Sequence, residues 1–346
     1  MSGLHDLPRH VFAMIESGVV AEFATLTARG VPIDTPTYYF PSDDMATVDL
    51  ATGVPNPAKA ERARRNPRVG LLIEGRPEEP VVVIRARAAV RDADIQANAI
   101  RYLAETGWTG ISHGITWEQA RQAITYWSRI IIVNTPERIY WWDNHAALDG
   151  PPGVWQAPPD TVWPQSDPAP AAPVTPGNWT ARPWEAVAKD AIAAGHPGHL
   201  SIVDADGYPL PMRTRAIDLA DGGFRILIAR GMPWRSEGKA CVTFAGYRSF
   251  VGTAEPQGDA VFFRIERALP QHPSTLDTKQ VLQPAAETLA RTRARLEAEM
   301  ARRGQPLVTI PELPPERSRI AKIRMARIAS DSPITGLTLA HGNRRS

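Results

Sequence analysis

One cysteine, Cys241, stands in a chain of 346 residues, so no internal disulfide can staple the fold. It lies in the apolar run 240–244 and reads as a small buried hydrophobe rather than a nucleophile. Long apolar stretches are missing too. Nothing approaches the ~18–20 residues that span a bilayer, and the first residues lack the apolar core of a secretory signal. Neither charge sign dominates: 39 basic and 37 acidic residues leave a formal +2, too little for a broad nucleic-acid footprint. No Gly-x-Ser-x-Gly, Walker or dinucleotide glycine pattern occurs. His196 and His199 flank Pro197-Gly198 without a third ligand in view, so a loop is expected there rather than a metal site. These absences predict a soluble cytoplasmic protein with no membrane, nucleic-acid or metal partner. The length suffices for two domains with a core each.

What the chain has in excess is proline, 33 residues, crowded into 150–183. Proline lacks the N–H that helix and sheet interiors need, so this stretch reads as a semi-rigid linker. Trp155, Trp163, Trp179 and Trp184 fall within or beside it, and large rings there predict a linker that wraps over what it joins. The expected domains are 1–149, the linker 150–183, and 184–346.

On either side of the linker one pattern occurs twice. Thr25-Leu-Thr-Ala-Arg-Gly30-Val-Pro32 and Ile202-Val-Asp-Ala-Asp-Gly207-Tyr-Pro209 each read as strand, tight glycine turn, strand. The two glycines are 177 positions apart (207 − 30), and so are the two prolines. Further short strands follow in each half, which predicts a mainly β (α+β) fold of two small barrels with flanking helices. In the first half a helix over 57–65 stops at Asn66-Pro67. In the second half, a long helix is expected over 278–303 and a last strand over 319–328.

The segment Thr52-Gly53-Val-Pro-Asn-Pro-Ala-Lys59 offers what a phosphate needs. It has a hydroxyl at a strand end, a glycine allowing close approach, and a lysine in the first turn of a helix. A strand-to-helix turn with a solvated lysine explains the spacing equally well. Arg85 and Arg87 alternate along one strand, so at most one can face such a site. Trp141-Trp142-Asp143-Asn144-His145 fits either a cofactor edge or core packing.

Together with Asn66-Pro-Arg-Val-Gly-Leu-Leu and Arg129-Ile-Ile-Ile-Val-Asn-Thr-Pro-Glu-Arg-Ile-Tyr-Trp, these residues resemble the FMN-binding split β-barrels of the pyridoxamine 5′-phosphate oxidase-like group. The resemblance covers residues 8–145 well and 185–270 more loosely. It implies tandem split barrels paired as an intrachain pseudo-dimer, either monomeric or as a homodimer of that unit. It also implies an FMN-dependent oxidoreductase acting on a small molecule. The flavin phosphate would be held by Thr52, Gly53 and Lys59, with Tyr38, Tyr39 and Arg85 as further cofactor contacts and no catalytic residue assignable. The basic second strand and arginine-rich tail of the vitamin-B6 oxidases are missing, so that substrate is not expected. A deazaflavin coenzyme, haem, or a non-catalytic binding role are the alternatives on this fold.

The second half lacks the lysine-bearing helix, since only seven residues separate Gly231 from Lys239. It carries instead Arg213, Arg215, Arg230 and Arg235. They read as solvated residues of an eroded barrel, as a second anion site, or as groups reaching toward the first site.

Overall fold

The computed structural model describes residues 4–106, 116–174, 182–244, 248–270 and 285–330. The first half opens with helix α1 (Arg9–Ser17) and strands β1 (Val20–Leu26), β2 (Pro32–Pro41) and β3 (Val48–Gly53). Helix α2 (Ala58–Arg65), β4 (Arg68–Ile73), β5 (Val81–Arg91) and α3 (Ile95–Thr106) follow. Next come two short helices, α4 (Trp117–Arg121) and α5 (Ile124–Trp127), then β6 (Arg129–Trp142) and β7 (Gly153–Gln156). The second half holds α6 (Trp184–Ala193), β8 (Gly198–Val203), β9 (Pro209–Ala220), β10 (Gly223–Ile228), β11 (Gly238–Phe244), β12 (Arg248–Gln257) and β13 (Ala260–Ala268). Two helices close the described chain, α7 (Ala286–Arg302) and α8 (Arg319–Ser330).

Strands β3-β2-β1-β4-β5-β6 are hydrogen-bonded in that order, and β3 also pairs with β6, which closes a barrel with β7 on its outer edge. The second barrel closes as β10-β9-β8-β11-β12-β13. The cyclic order is the same once each strand is matched to its counterpart. The fold is therefore a tandem of split β-barrels, all antiparallel, with helices around them. Closure removes the exposed strand edges that an open sheet would leave. Gly30 and Gly207 take φ of +70° and +81° at the two equivalent hairpins, the left-handed region that the repeated glycine serves.

The barrels meet as a two-fold pair would. β4 packs on β9 and β11 on β2; β1 meets β9 and β8 meets β2; β5 meets β9 and β12 meets β2. Each contact and its counterpart exchange the two halves, the pattern of an isologous interface made within one chain. Side-chain alternation assigns the faces. Phe23 of β1 and Leu200 and Ile202 of β8 enter the two cores, leaving Glu22, His199 and Ser201 to the joint. The second core is built on Phe224, Phe244, Phe250 and Phe263, whose centroids lie 5.1–6.3 Å apart.

The C-terminal elements differ from the sequence expectation. Residues 319–328 form helix α8, not a strand. Ile320, Ala321 and Arg324 are buried at helical spacing, and the helix packs on α1 and α3. The long helix expected over 278–303 is described only over α7, where Leu296 is fully buried and Leu289 is 42% exposed, and residues 278–284 lie outside the described residues. By packing, α7 and α8 join the first barrel through Leu296, Met300 and Ile320, although they follow the second in sequence. The linker runs along β5. Ser166 Oγ accepts from Val90 N at 3.0 Å, Asp167 accepts from Asp92 N and Ala93 N at 2.8 and 2.9 Å, and the Trp163 ring lies 4.8 Å from the Arg87 guanidinium.

The close approach of the barrels yields a prediction. A Cβ on Gly70 would fall 1.8 Å from the Pro209 carbonyl oxygen across the joint. Gly70→Ala should therefore cost at least the ~1–3 kcal/mol of an overpacked core. Gly30→Ala, with open space but a positive φ, should cost only about 1 kcal/mol. Denaturant melts of both variants check the order.

Candidate functional site

β3 ends at Thr52-Gly53, and the chain turns through residues 54–57 into α2. Asn56 N donates to Gly53 O at 2.9 Å, and Thr52 Oγ1 donates to Asn56 O at 3.3 Å. The helix has Pro57 at its N-cap and no side-chain cap, so its first N–H groups are left open to an acceptor. Lys59 stands in this first turn with Nζ 5.9 Å from the Phe23 ring centroid. Opposite Gly53 in the β3–β6 ladder is Arg129. Its guanidinium rests on the rings of Tyr102 and Tyr126, at 4.5 and 4.1 Å, and the two phenol oxygens are 3.3 Å apart.

Three cations thus gather at this end of the barrel: Lys59, Arg129 and Arg62, whose Nε donates to Thr25 Oγ1 at 2.8 Å. Among the described residues no carboxylate lies within ion-pair distance of any of them, and Arg129 Nε is buried with no hydrogen bond. Burial, with like charge from Arg62 and Arg129, lowers the Lys59 pKa to about 7, against the pull of Asp34 and Glu22. Burial and Arg65 lower Arg62 to about 10. Open helix N–H groups and cations without a carboxylate partner, gathered at one strand end, make an anion cradle.

Of the residues picked from sequence, Thr52, Gly53 and Lys59 come together here. Tyr38 is half-buried; burial pushes its phenol up to about 12, opposed by Arg324 and reinforced by Tyr102, the tyrosine under Arg129. Tyr39 does not face the cradle. Its ring is fully buried, and its hydroxyl donates to Ile15 O at 2.9 Å and Met14 O at 3.3 Å. Neighbours on a strand point to opposite faces, so both tyrosines could not serve one site. Arg85 is spent elsewhere. It pairs with Asp204 at 3.4 Å, Asp206 at 2.9 Å and Glu137 at 3.6 Å, over the Tyr208 ring, gripping the second hairpin turn. Arg129 is the residue that sequence reasoning missed. Pairing β3 with β6 in register would have found it across from Gly53.

The second set of arginines meets internal acids. Arg213 pairs with Glu74 at 2.7 Å and Arg215 with Asp149 at 3.0 Å; Arg235 is exposed, 3.8 Å from Glu237. The Arg230 backbone N–H donates to Asp149 at 3.0 Å. At the joint, His199 lies between Glu22 (3.3 Å) and Glu74 (2.9 Å), and Ser201 Oγ donates to the Asp34 carboxylate at 3.0 Å. A cavity of about 440 Å³ opens on another face of α2, lined by Glu61, Arg64, Arg65, residues 170–174 and Arg302; none of the cradle residues borders it. No helix among the described residues is long and apolar enough to cross a membrane, and no metal-binding cluster occurs among them.

No family model matches the sequence, and no curated protein does. Solved structures do match. A pyridoxamine 5′-phosphate oxidase-related, FMN-binding protein of Nostoc punctiforme is 12% identical, with TM-score 0.31, over 40% of this chain and 85% of its own. An FAD-binding protein of Mesorhizobium loti is 21% identical, TM-score 0.27, over 38% and 88%. General Stress Protein 26 of Bacillus anthracis is 14% identical, TM-score 0.28, over 43% and 96%.

The joint titrates. His199 gains two carboxylate partners, which lift its pKa well above the ordinary value although burial alone would lower it. Its contribution to stability is complete below about pH 6.5 and is lost as pH rises through the elevated value. Glu74, held down to about 2 by His199 and Arg213 against the effect of burial, contributes above its unfolded value and is lost as pH falls toward 2. The difference in denaturant midpoint between the wild type and His199→Gln should therefore narrow as pH is raised above neutrality. A constant difference would assign His199 a packing role only.

Proposed function

We propose that the chain binds FMN, with the flavin phosphate in the cradle of Thr52, Gly53, Lys59 and Arg129, and acts as an oxidoreductase on a small molecule. The observation that carries this reading is the pair Lys59 and Arg129. Two neighbouring cations, both partly drawn out of water, have no carboxylate within ion-pair distance among the described residues at the uncapped start of a helix. A buried charge without a partner is costly, and a dianionic phosphate removes that cost for both. The residues fit the phosphate group: open N–H donors and two cations stand around one strand end, and the Thr52 hydroxyl, which donates to Asn56 O here, would turn to the phosphate on binding.

When bound, the flavin would supply the redox chemistry, and the protein's part is to fix and orient it. Lys59 and Arg129 neutralise the phosphate, and the Tyr102–Tyr126 pair holds the Arg129 guanidinium in place. Tyr38, which feels Tyr102 electrostatically, would meet the part of the ligand that extends from the phosphate. The opposite wall comes from the second barrel, whose β11 and β12 pack on β2.

Purified protein should show or take up a flavin with its two-band visible spectrum. A single deazaflavin band, or a Soret band, would replace FMN by the corresponding cofactor, and a colourless protein that ignores micromolar FMN ends the proposal. Lys59→Ala and Arg129→Ala should each weaken FMN binding by roughly 1.5–3 kcal/mol, the value of a charged hydrogen bond.

With a lysine pKa of about 7 in the free protein, FMN affinity should fall between about pH 7 and pH 9, because fewer molecules carry the proton that the phosphate needs. Lys59→Arg, charged throughout, should flatten that profile. A flat wild-type profile by fluorescence titration would remove Lys59 from the phosphate.

A further inference from the structure

The pseudo-two-fold places a locus equivalent to the cradle where β10 ends and the chain turns toward β11. No helix intervenes there; residues 229–237 lead straight into the next strand. The locus is nonetheless basic. Arg213 and Arg215 stand on β9 at the positions that Pro36 and Tyr38 hold on β2, 177 residues earlier.

An anion at such a strand end needs a backbone N–H and a guanidinium, and one is supplied from within the chain. Asp149 closes the single-turn 3-10 helix His145–Asp149 that follows β6. One carboxylate oxygen accepts from Arg230 N and the other from Arg215 Nη2, both at 3.0 Å. The turn that carries it is fastened to the second barrel. Gly231 N donates to Leu148 O at 3.1 Å, and Trp234 meets Tyr140 of β6 edge-on at 5.1 Å. Gly231 is required for this, since a Cβ there would lie 1.9 Å from Gly150 O.

We propose that this locus is a phosphate-type anion site that the chain keeps filled with its own Asp149 carboxylate, leaving the Lys59 cradle as the open one. Two carboxylate oxygens take one N–H and one guanidinium, as two oxygens of a phosphate would. Asp149 is 42% exposed, so an ion from solvent reaches the same donors once the carboxylate is removed. The corollary, one phosphorylated ligand per chain, rests on the proposed function; the filled site itself does not.

Inorganic phosphate is the probe, in a Lys59→Ala background so that the first cradle is weakened and contributes equally to the proteins compared. Calorimetric titration at matched ionic strength compares that protein with and without Asp149→Ala. Removing the carboxylate should tighten phosphate binding at least tenfold, and adding Arg215→Ala should abolish the gain. Asp149→Asn, of equal size and able to keep the turn, should also tighten it, which guards against a misfolded alanine variant. Unchanged phosphate affinity in both variants overturns the proposal, as does a wild-type chain that takes two FMN molecules. A wild type that takes none defeats the proposed function, while the phosphate comparison still decides the filled site.

Discussion

The two-barrel body depends on a histidine held between carboxylates at the joint. His199, Glu22 and Glu74 are all drawn out of water, and removing any one would strand a charge in a poorly polarisable place. Glu22 and His199 also occupy equivalent positions on β1 and β8, by the same 177-residue offset that relates the hairpin glycines. Two first barrels paired about this axis would set Glu22 against its own copy. Divergence at this one position makes the mixed pairing the favourable one, and the linker along β5 delivers the second barrel to it.

The same divergence runs outward from the axis to the two strand ends. Around the second end and along β5, three of the arginines singled out have acids: Glu74 for Arg213, Asp149 for Arg215, and Asp204, Asp206 and Glu137 for Arg85. Around the first end, Lys59, Arg62 and Arg129 have a ring, a hydroxyl and two tyrosines. A cation on an aromatic face is held in position but not neutralised. One locus is balanced internally and the other is short of negative charge, and that difference, rather than cavity shape, distinguishes them.

Much of this was legible in the sequence because it depends on local rules. Strand alternation, the Gly30 and Gly207 turns, and the run from Thr52 to Lys59 each follow from a few neighbouring residues. What escaped depends on which strands close the barrel. Arg129 joins the Thr52-Gly53 strand end only because β6 pairs with β3, a contact spanning 76 positions (129 − 53). Tyr39 and Tyr38 could not be told apart without knowing which face of β2 turns inward. Helix α8 was misread because Arg324, a charge on what looked like a strand, is buried under Tyr39, donating to its carbonyl and to that of Glu16. Burial of Ile320, Ala321 and Arg324 with Lys322 exposed is a helical spacing that alternation cannot give.

The C-terminal helices also bear on the cradle. α2 is short, eight residues, and an isolated helix of that length is not stable. It is braced from the far side by α7. Arg302 pairs with Glu61 of α2 and, at 2.9 Å, with Glu299; Arg303 reaches Asp92 at 3.1 Å; and Arg295 Nε donates to Pro55 O, in the turn itself, at 2.9 Å. The charges that hold α2 in place lie on the face away from Lys59, so they fix its first turn without lending it a counter-ion. A rigid helix start with an uncompensated lysine is the arrangement an anion site needs, because the donors are positioned before the ligand arrives and little ordering remains to be done on binding.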